Sequence, residues 1–201
     1  MMTKELEIEF KNLLTEEEYL ELMDRFGYSA EDAHTQVNHY FDTTDFKLRD
    51  RRSALRIRQK GATYECTLKT PADNGFYEIT DKLDSQQVEE IFEKRSFPAP
   101  EVAAALKEMG LGSDALALLG SLTTHRIEFP YESGLLVLDH SEYLATEDFE
   151  IEYEVSDFEA GKQRFQAFLR DFEIPFRSTD KKISRFMNAA KKGINTNKII
   201  E

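Results

Sequence analysis

The sequence predicts an α+β protein: an antiparallel sheet or closed barrel of seven or more strands, with amphipathic helices packed outside. Three observations predict it. Short segments of alternating polarity recur from ELEIEFK at residues 5–11 to DFEIEYEV at 148–155. The connections carry turn residues or helical periods without the regular strand–helix alternation of parallel winding. On each strand, charge keeps to one parity while bulky apolar residues take the other.

In chain order, ELEIEFK alternates Glu5, Glu7, Glu9 and Lys11 with Leu6, Ile8 and Phe10, the last three expected to meet covering helices. TEEEYLELMDRFG follows as an amphipathic helix, with Thr15 and Glu18 in capping-box spacing, a stop at Gly27 and Tyr19, Leu22, Met23 and Phe26 on one stripe. QVNHYFDT reads as a strand, and LRDRR at 48–52 as a polar loop. ALRIRQ, TYECTLKT and GFYEIT form a meander broken at Gly61 and at PADNG. SQQVEEIFEKR, PEVAAALKEMG and DALALLG, punctuated by Pro and Gly, read as a helical insertion over about 85–120. Strands resume in LTTHRIEF, GLLVLDHSEY and DFEIEYEV. A helix over DFEAGKQRFQAFLRDF then aligns Phe158, Phe165, Leu169 and Phe172, and a last helix covers TDKKISRFMNAAKK. One domain over 1–192 and a tail over 193–201 without a fold signal complete the expected organisation.

Composition narrows the function. Asp and Glu total 39 against 26 Lys and Arg, a formal charge of -13, which argues against nucleic acid or an anionic membrane surface as partner. No window reaches the roughly 20 apolar residues of a membrane span, and no secretion signal opens the chain. The single cysteine, Cys66, forms no internal disulfide, so a reducing cytoplasm is the expected compartment. The chain lacks a GxxxxGK[ST] phosphate loop, so any phosphate must be gripped by side chains. His34, His39, His125 and His140 show no metal-ligand spacing and read as ordinary polar or packed residues, and Cys66 as a small buried hydrophobe.

Parity then sorts the charge. Arg56 and Arg58 oppose Leu55 and Ile57; Glu65, Thr67 and Lys69 oppose Tyr64, Cys66 and Leu68. Arg126 and Glu128 oppose Ile127 and Phe129, and Asp139 continues the face of Leu135 and Val137. Glu150, Glu152 and Glu154 oppose Phe149, Ile151, Tyr153 and Val155. On one strand this means only that charge faces water. Across five strands whose apolar faces need cover, it means a closed sheet with a charged bore. Lys11, Arg56, Arg58, Lys69 and Arg126 suit a ligand with several negative charges. Glu7, Glu9, Asp139, Glu150 and Glu152 would repel one another without a cation, and oxygen donors lacking Cys or His imply Mg²⁺ or Mn²⁺. Tyr40 and Asp42 share the inward parity and either enter the bore or brace their strand.

These residues resemble the CYTH superfamily, the triphosphate tunnel metalloenzymes, over nearly the whole chain: EIEFK, YFDT, ALRIR, TLK, THRIEF, LVLDHSEY, FEIEYE and KKISRF in order. ExExK alone is a weak signature, and its combination with RIR, LK, a late Arg, Asp and ExE is strong. Among branches the chain looks most like the Bacillus YjbK type. The resemblance implies a closed eight-stranded antiparallel barrel forming a tunnel, with a small-molecule triphosphate as partner and Mg²⁺ or Mn²⁺ as cofactor. Position by position, it implies Glu7, Glu9, Asp139, Glu150 and Glu152 as metal acids, with Glu154 the rival in the overlapping ExE frame. Lys11, Arg56, Arg58, Lys69, Arg126 and Lys182 match the phosphate contacts, with Lys181 the near alternative to Lys182. Glu7 and Glu9 are the expected orienters of attacking water, and Lys69 the group beside the leaving or transferred phosphoryl. Thr124 departs from the pattern, since many members carry Lys there. The expected activity is metal-dependent triphosphate hydrolysis by a monomer or homodimer. The alternatives are a class IV-type adenylate cyclase and a non-catalytic polyphosphate or nucleotide sensor.

Overall fold

The structure, a computed structural model, describes residues 4–197. Its strands are β1 (Lys4–Leu14), β2 (His34–Thr43), β3 (Ala54–Lys60), β4 (Thr63–Ala72), β5 (Gly75–Leu83), β6 (Leu116–Tyr131), β7 (Gly134–Tyr143) and β8 (Thr146–Val155). They form one closed barrel in the order β1-β5-β4-β3-β2-β6-β7-β8. The helices are α1 (Glu16–Phe26), α2 (Lys47–Asp50), α3 (Ser85–Phe92), α4 (Pro100–Glu108), α5 (Phe158–Asp171) and α6 (Lys182–Asn197). None of the described helices is long and apolar enough to cross a membrane.

Two compact units make up the chain, one of residues 1–8 and 35–121, the other of 9–34 and 122–201. In the first, the apolar parity of β3, β4 and β5 is buried: Leu55, Ile57, Cys66, Leu68 and Ile79 join Val88 and Ile91 of α3 and Val102, Ala105 and Leu106 of α4 in one core. The α4 N-terminus is held by Asp81 of β5, whose carboxylate accepts from the Glu101 and Val102 amides at 3.3 and 2.9 Å. Gly75 opens β5 at φ 127°, and a Cβ there would stand 2.1 Å from the Glu7 carbonyl oxygen, so only glycine lets β1 approach this closely.

In the second unit, α1 and α5 cover β6, β7 and β8, and Tyr19, Leu22, Met23, Phe165, Phe168 and Leu169 pack on Ile127, Phe129, Leu138, Ile151 and Tyr153. The predicted capping box starts α1: the Glu18 amide donates to Thr15 Oγ1 at 3.2 Å and the Thr15 amide to Glu18 Oε2 at 2.8 Å. Asn12, fully buried, ties the segment after α5 to β1, donating to the Pro175 carbonyl and accepting from the Arg177 amide.

Several expectations are corrected. LRDRR is not an irregular loop: Lys47–Asp50 form one helical turn, because Asp42 Oδ1 and Oδ2 accept from the Leu48 and Arg49 amides while Leu48 is buried to 1% exposure. Asp42 is therefore a brace of its own strand end. DALALLG is not helical beyond Ala115: from Leu116 it belongs to β6, which runs 16 residues. Seven residues between two glycines are too few for an independent helix, and strand pairing claims them. Leu6 is 51% exposed, because α3 and α4 cover β4 and β5 and leave it uncovered. Of the expected tail, residues 193–197 continue α6, and 198–201 lie outside the described residues.

Candidate active site

Each unit carries a cluster of opposed charges on the parity opposite its buried apolar face. In the first, the register sets Arg56 across from Thr67 and Lys69 across from Glu78. Lys69 Nζ lies 2.7 Å from Glu78 Oε1 and also pairs with Glu7, while Arg56 Nη2 stands 3.7 Å from Glu78. Arg58 Nε donates to Asn38 Oδ1 at 2.9 Å. Burial pushes the Glu78 carboxyl up, and the charges of Lys69 and Arg56 outweigh it and hold the group below its ordinary range. Arg56 Nε is a buried donor with no acceptor. Native interiors rarely leave such a group unmatched, so it needs an explanation.

The second cluster is denser. Arg126 grips Asp139 through two donors, Nε and Nη2, at 2.7 and 2.6 Å, and Nη2 reaches Glu152 at 2.9 Å. From α6, Lys182 Nζ lies 2.8 Å from Asp139, 2.7 Å from Glu152 and 3.3 Å from Glu150. Lys11 Nζ sits 2.8 Å from Glu9, 3.3 Å from Glu152 and 3.6 Å from Glu150. Asp139 and Glu150 have no exposed surface, and Glu152 has 4%. Arg185, one turn along α6 from Lys182, pairs with Glu150 and holds Asp148 at 2.8 and 3.0 Å; Tyr143 donates to the same Asp148 at 2.6 Å.

The pKa directions follow from this crowding. Burial opposes the Lys11 ammonium, but Glu152, Glu9 and Glu150 outweigh it and keep it charged well above the lysine range. Asp139 is buried too, and Arg126 and Lys182 hold it below its usual value. Glu150 is the exception: burial raises it to about 6 against the pull of Lys182, Lys11 and Arg185, while its neighbour Glu152 stays well below the glutamate range. Burying so many charges costs more than an apolar core of the same volume would. Such clusters mark functional sites more often than they serve stability.

The structure brings together Lys11, Arg126, Asp139, Glu150, Glu152, Lys182 and Glu9 in one cluster, and Glu7, Arg56 and Lys69 in the other, with Arg58 beside Asn38. Glu154, the rival ExE acid, is half-buried, whereas Glu150 and Glu152 converge on Lys182. Thr124 is fully buried and shares a hydrogen bond of 3.2 Å with Ser141. Sequence reasoning missed Glu78, Arg185 and Asp148. The period of two flags Glu78 within GFYEIT, and Arg185 lies three residues after Lys182 on a helix face. Cys66 is fully buried and its thiol is pushed up by that burial, consistent with a packing role.

The strands close into one antiparallel barrel whose charged parity opposes the apolar side chains packed under the helices. The model of the CYTH domain matches residues 5–187, and the chain belongs to this family. It is 43% identical over 195 residues to "Putative triphosphatase YjbK" of Bacillus subtilis, with 96% of this chain and all of that protein aligned. Among solved structures, a protein described as a putative adenylate cyclase from Bacillus halodurans superposes with a TM-score of 0.88 at 41% identity, covering 92% of this chain and 99% of that one. A putative adenylyl cyclase from Hippeastrum, described as revealing a dominant triphosphatase activity, gives a TM-score of 0.75 at 26% identity over 92% and 96%.

Proposed function

We propose that the protein is a divalent-metal-dependent triphosphatase, with an inorganic or organic triphosphate such as thiamine triphosphate or a nucleotide as substrate. The observation that carries this is the buried Arg56 Nε without an acceptor, beside cations already poised on carboxylates. A phosphate oxygen is the acceptor such a donor fits. The names of the Bacillus subtilis and Hippeastrum relatives support the same chemistry.

The donor set fits Mg²⁺ or Mn²⁺. Asp139, Glu150 and Glu152 offer hard oxygens without Cys or His and converge on one ammonium within 3.3 Å, and burial holds the Glu150 carboxyl raised against the pull of its cations. Together with Glu9 of the same cluster, these residues would hold the ion, and Glu7 is the acid proposed for the cluster of Lys69. When bound, the ion would neutralise phosphate charge and favour water as nucleophile. Lys11, Arg58, Arg126 and Lys182 bind the phosphate oxygens, and Arg56 stabilises charge that grows during in-line displacement. Glu9 and Glu7 orient the attacking water. Lys69, released from Glu7 and Glu78, stabilises the leaving or transferred phosphoryl oxygen.

A second reading, cyclisation of ATP, is favoured by the description of the Bacillus halodurans structure. Incubation of tripolyphosphate, thiamine triphosphate, ATP and GTP with Mg²⁺ and with Mn²⁺, with products identified, separates the readings. Orthophosphate release is expected; cyclic AMP with pyrophosphate from ATP would establish the cyclase, and tight binding without turnover the sensor.

A further inference from the structure

The outer face of β6, β7 and β8 carries a second group of ligand-bearing side chains, on the parity opposite Asp139, Glu150 and Glu152. The register sets His125 across from His140 and Glu142 across from Glu147. His140 and Glu142 are two residues apart on one strand and share a face. His140 Nε2 lies 2.8 Å from Glu147 Oε2, and His125 Nε2 lies 3.5 Å from Glu142 Oε2. One ligand atom from each of His140, Glu142 and Glu147 lies within 4.8 Å of the others. The His140 ring is stacked on Phe149 at 4.6 Å and 14°, with Tyr19 packed on Phe149 at 5.0 Å, so its orientation is fixed from beneath.

We propose that His140, Glu142 and Glu147 bind a borderline transition-metal ion, Zn²⁺ or Cu²⁺, on the outside of the barrel, with His125 supplying a second imidazole. Two glutamates directly opposite on paired strands repel each other, and a cation between them turns that cost into attraction. Imidazole beside carboxylate selects Zn²⁺ or Cu²⁺ over Mg²⁺, which takes oxygen and water. Glu142 and Glu147 are 54% and 59% exposed at their side chains, so water completes the coordination and the ion exchanges with solvent. No spacing rule exposes this set, because the ligands come from adjacent strands and are joined by register.

The test is Zn²⁺ titration calorimetry on the full chain in saturating Mg²⁺, which occupies hard-oxygen sites, paired with Cu²⁺ electron paramagnetic resonance. Wild type is expected to bind one Zn²⁺ and to show imidazole-nitrogen coupling to Cu²⁺. His140→Phe keeps the stack on Phe149 and is expected to bind Zn²⁺ at least roughly tenfold more weakly and to lose most of that coupling. Glu142→Gln with Glu147→Gln, which leaves the ring in place, is expected to weaken Zn²⁺ to a similar degree. Absence of Zn²⁺ binding in wild type, affinity unchanged in both variants, or nitrogen coupling undiminished in His140→Phe would overturn the proposal.

Discussion

At the scale of single residues, the charged side chains divide into those the fold tolerates and those it needs. Arg56 and Glu9 lie on the parity opposite the buried apolar residues of their strands, so truncation is expected to leave the core intact. Arg56→Ala and Glu9→Ala are each expected to lower kcat on the best triphosphate roughly a hundredfold to a thousandfold, with circular dichroism unchanged; near wild-type turnover in both would sink the assignment. Lys182 is different, because Asp139, Glu150 and Glu152 all lean on its ammonium. Lys182→Ala leaves buried carboxylates undercompensated and is expected to cost about 3–5 kcal/mol in urea denaturation, with Mn²⁺ restoring part of the loss. These residues were legible in the sequence because a strand's period of two is rigid. Lys182 was legible only by resemblance, since a helix gives no parity with a barrel strand.

At the scale of elements, local signals and tertiary demands agree for α1 and disagree for β6. The Thr15 cap places Glu18 where its carboxylate also receives Arg177 through Nη1 and Nη2 at 2.7 and 2.9 Å, joining α1 to the segment after α5. Burial raises Glu18, but Arg177 and the Thr15 amide together outweigh it and its pKa is lowered. A carboxyl lowered on folding contributes stability above its unfolded value of about 4.3, and that contribution is lost as pH falls through the folded value. The stability gap between wild type and Glu18→Gln is therefore expected to shrink on acidification below about pH 4.3, as read by urea midpoints; a gap constant from pH 6 to pH 3 would refute the linkage. In β6, the apolar run of DALALLG resembles a helix turn, yet from Leu116 the chain is strand. A short apolar run has no decisive period, so its partner strands chose its conformation.

At the scale of the whole molecule, β1 and β6 each begin in one compact unit and end in the other, dividing after Ile8 and after Ser121. Strands shared in this way should couple the units' stability. Residues 1–192 are expected to unfold in a single transition, with far-ultraviolet circular dichroism and tyrosine fluorescence coinciding; two separated midpoints would show independent domains. The sequence by itself determined antiparallel strands and the parity that separates most charge from apolar bulk, because alternation and turn chemistry are local properties of the chain, while closure into eight strands was legible only through the family resemblance. Only the tertiary structure decided which polar side chains meet: Glu78 with Lys69, Lys182 with three acids, and His140 with Glu147. Those pairings depend on strand register and helix docking, and both are set by packing between residues distant in sequence.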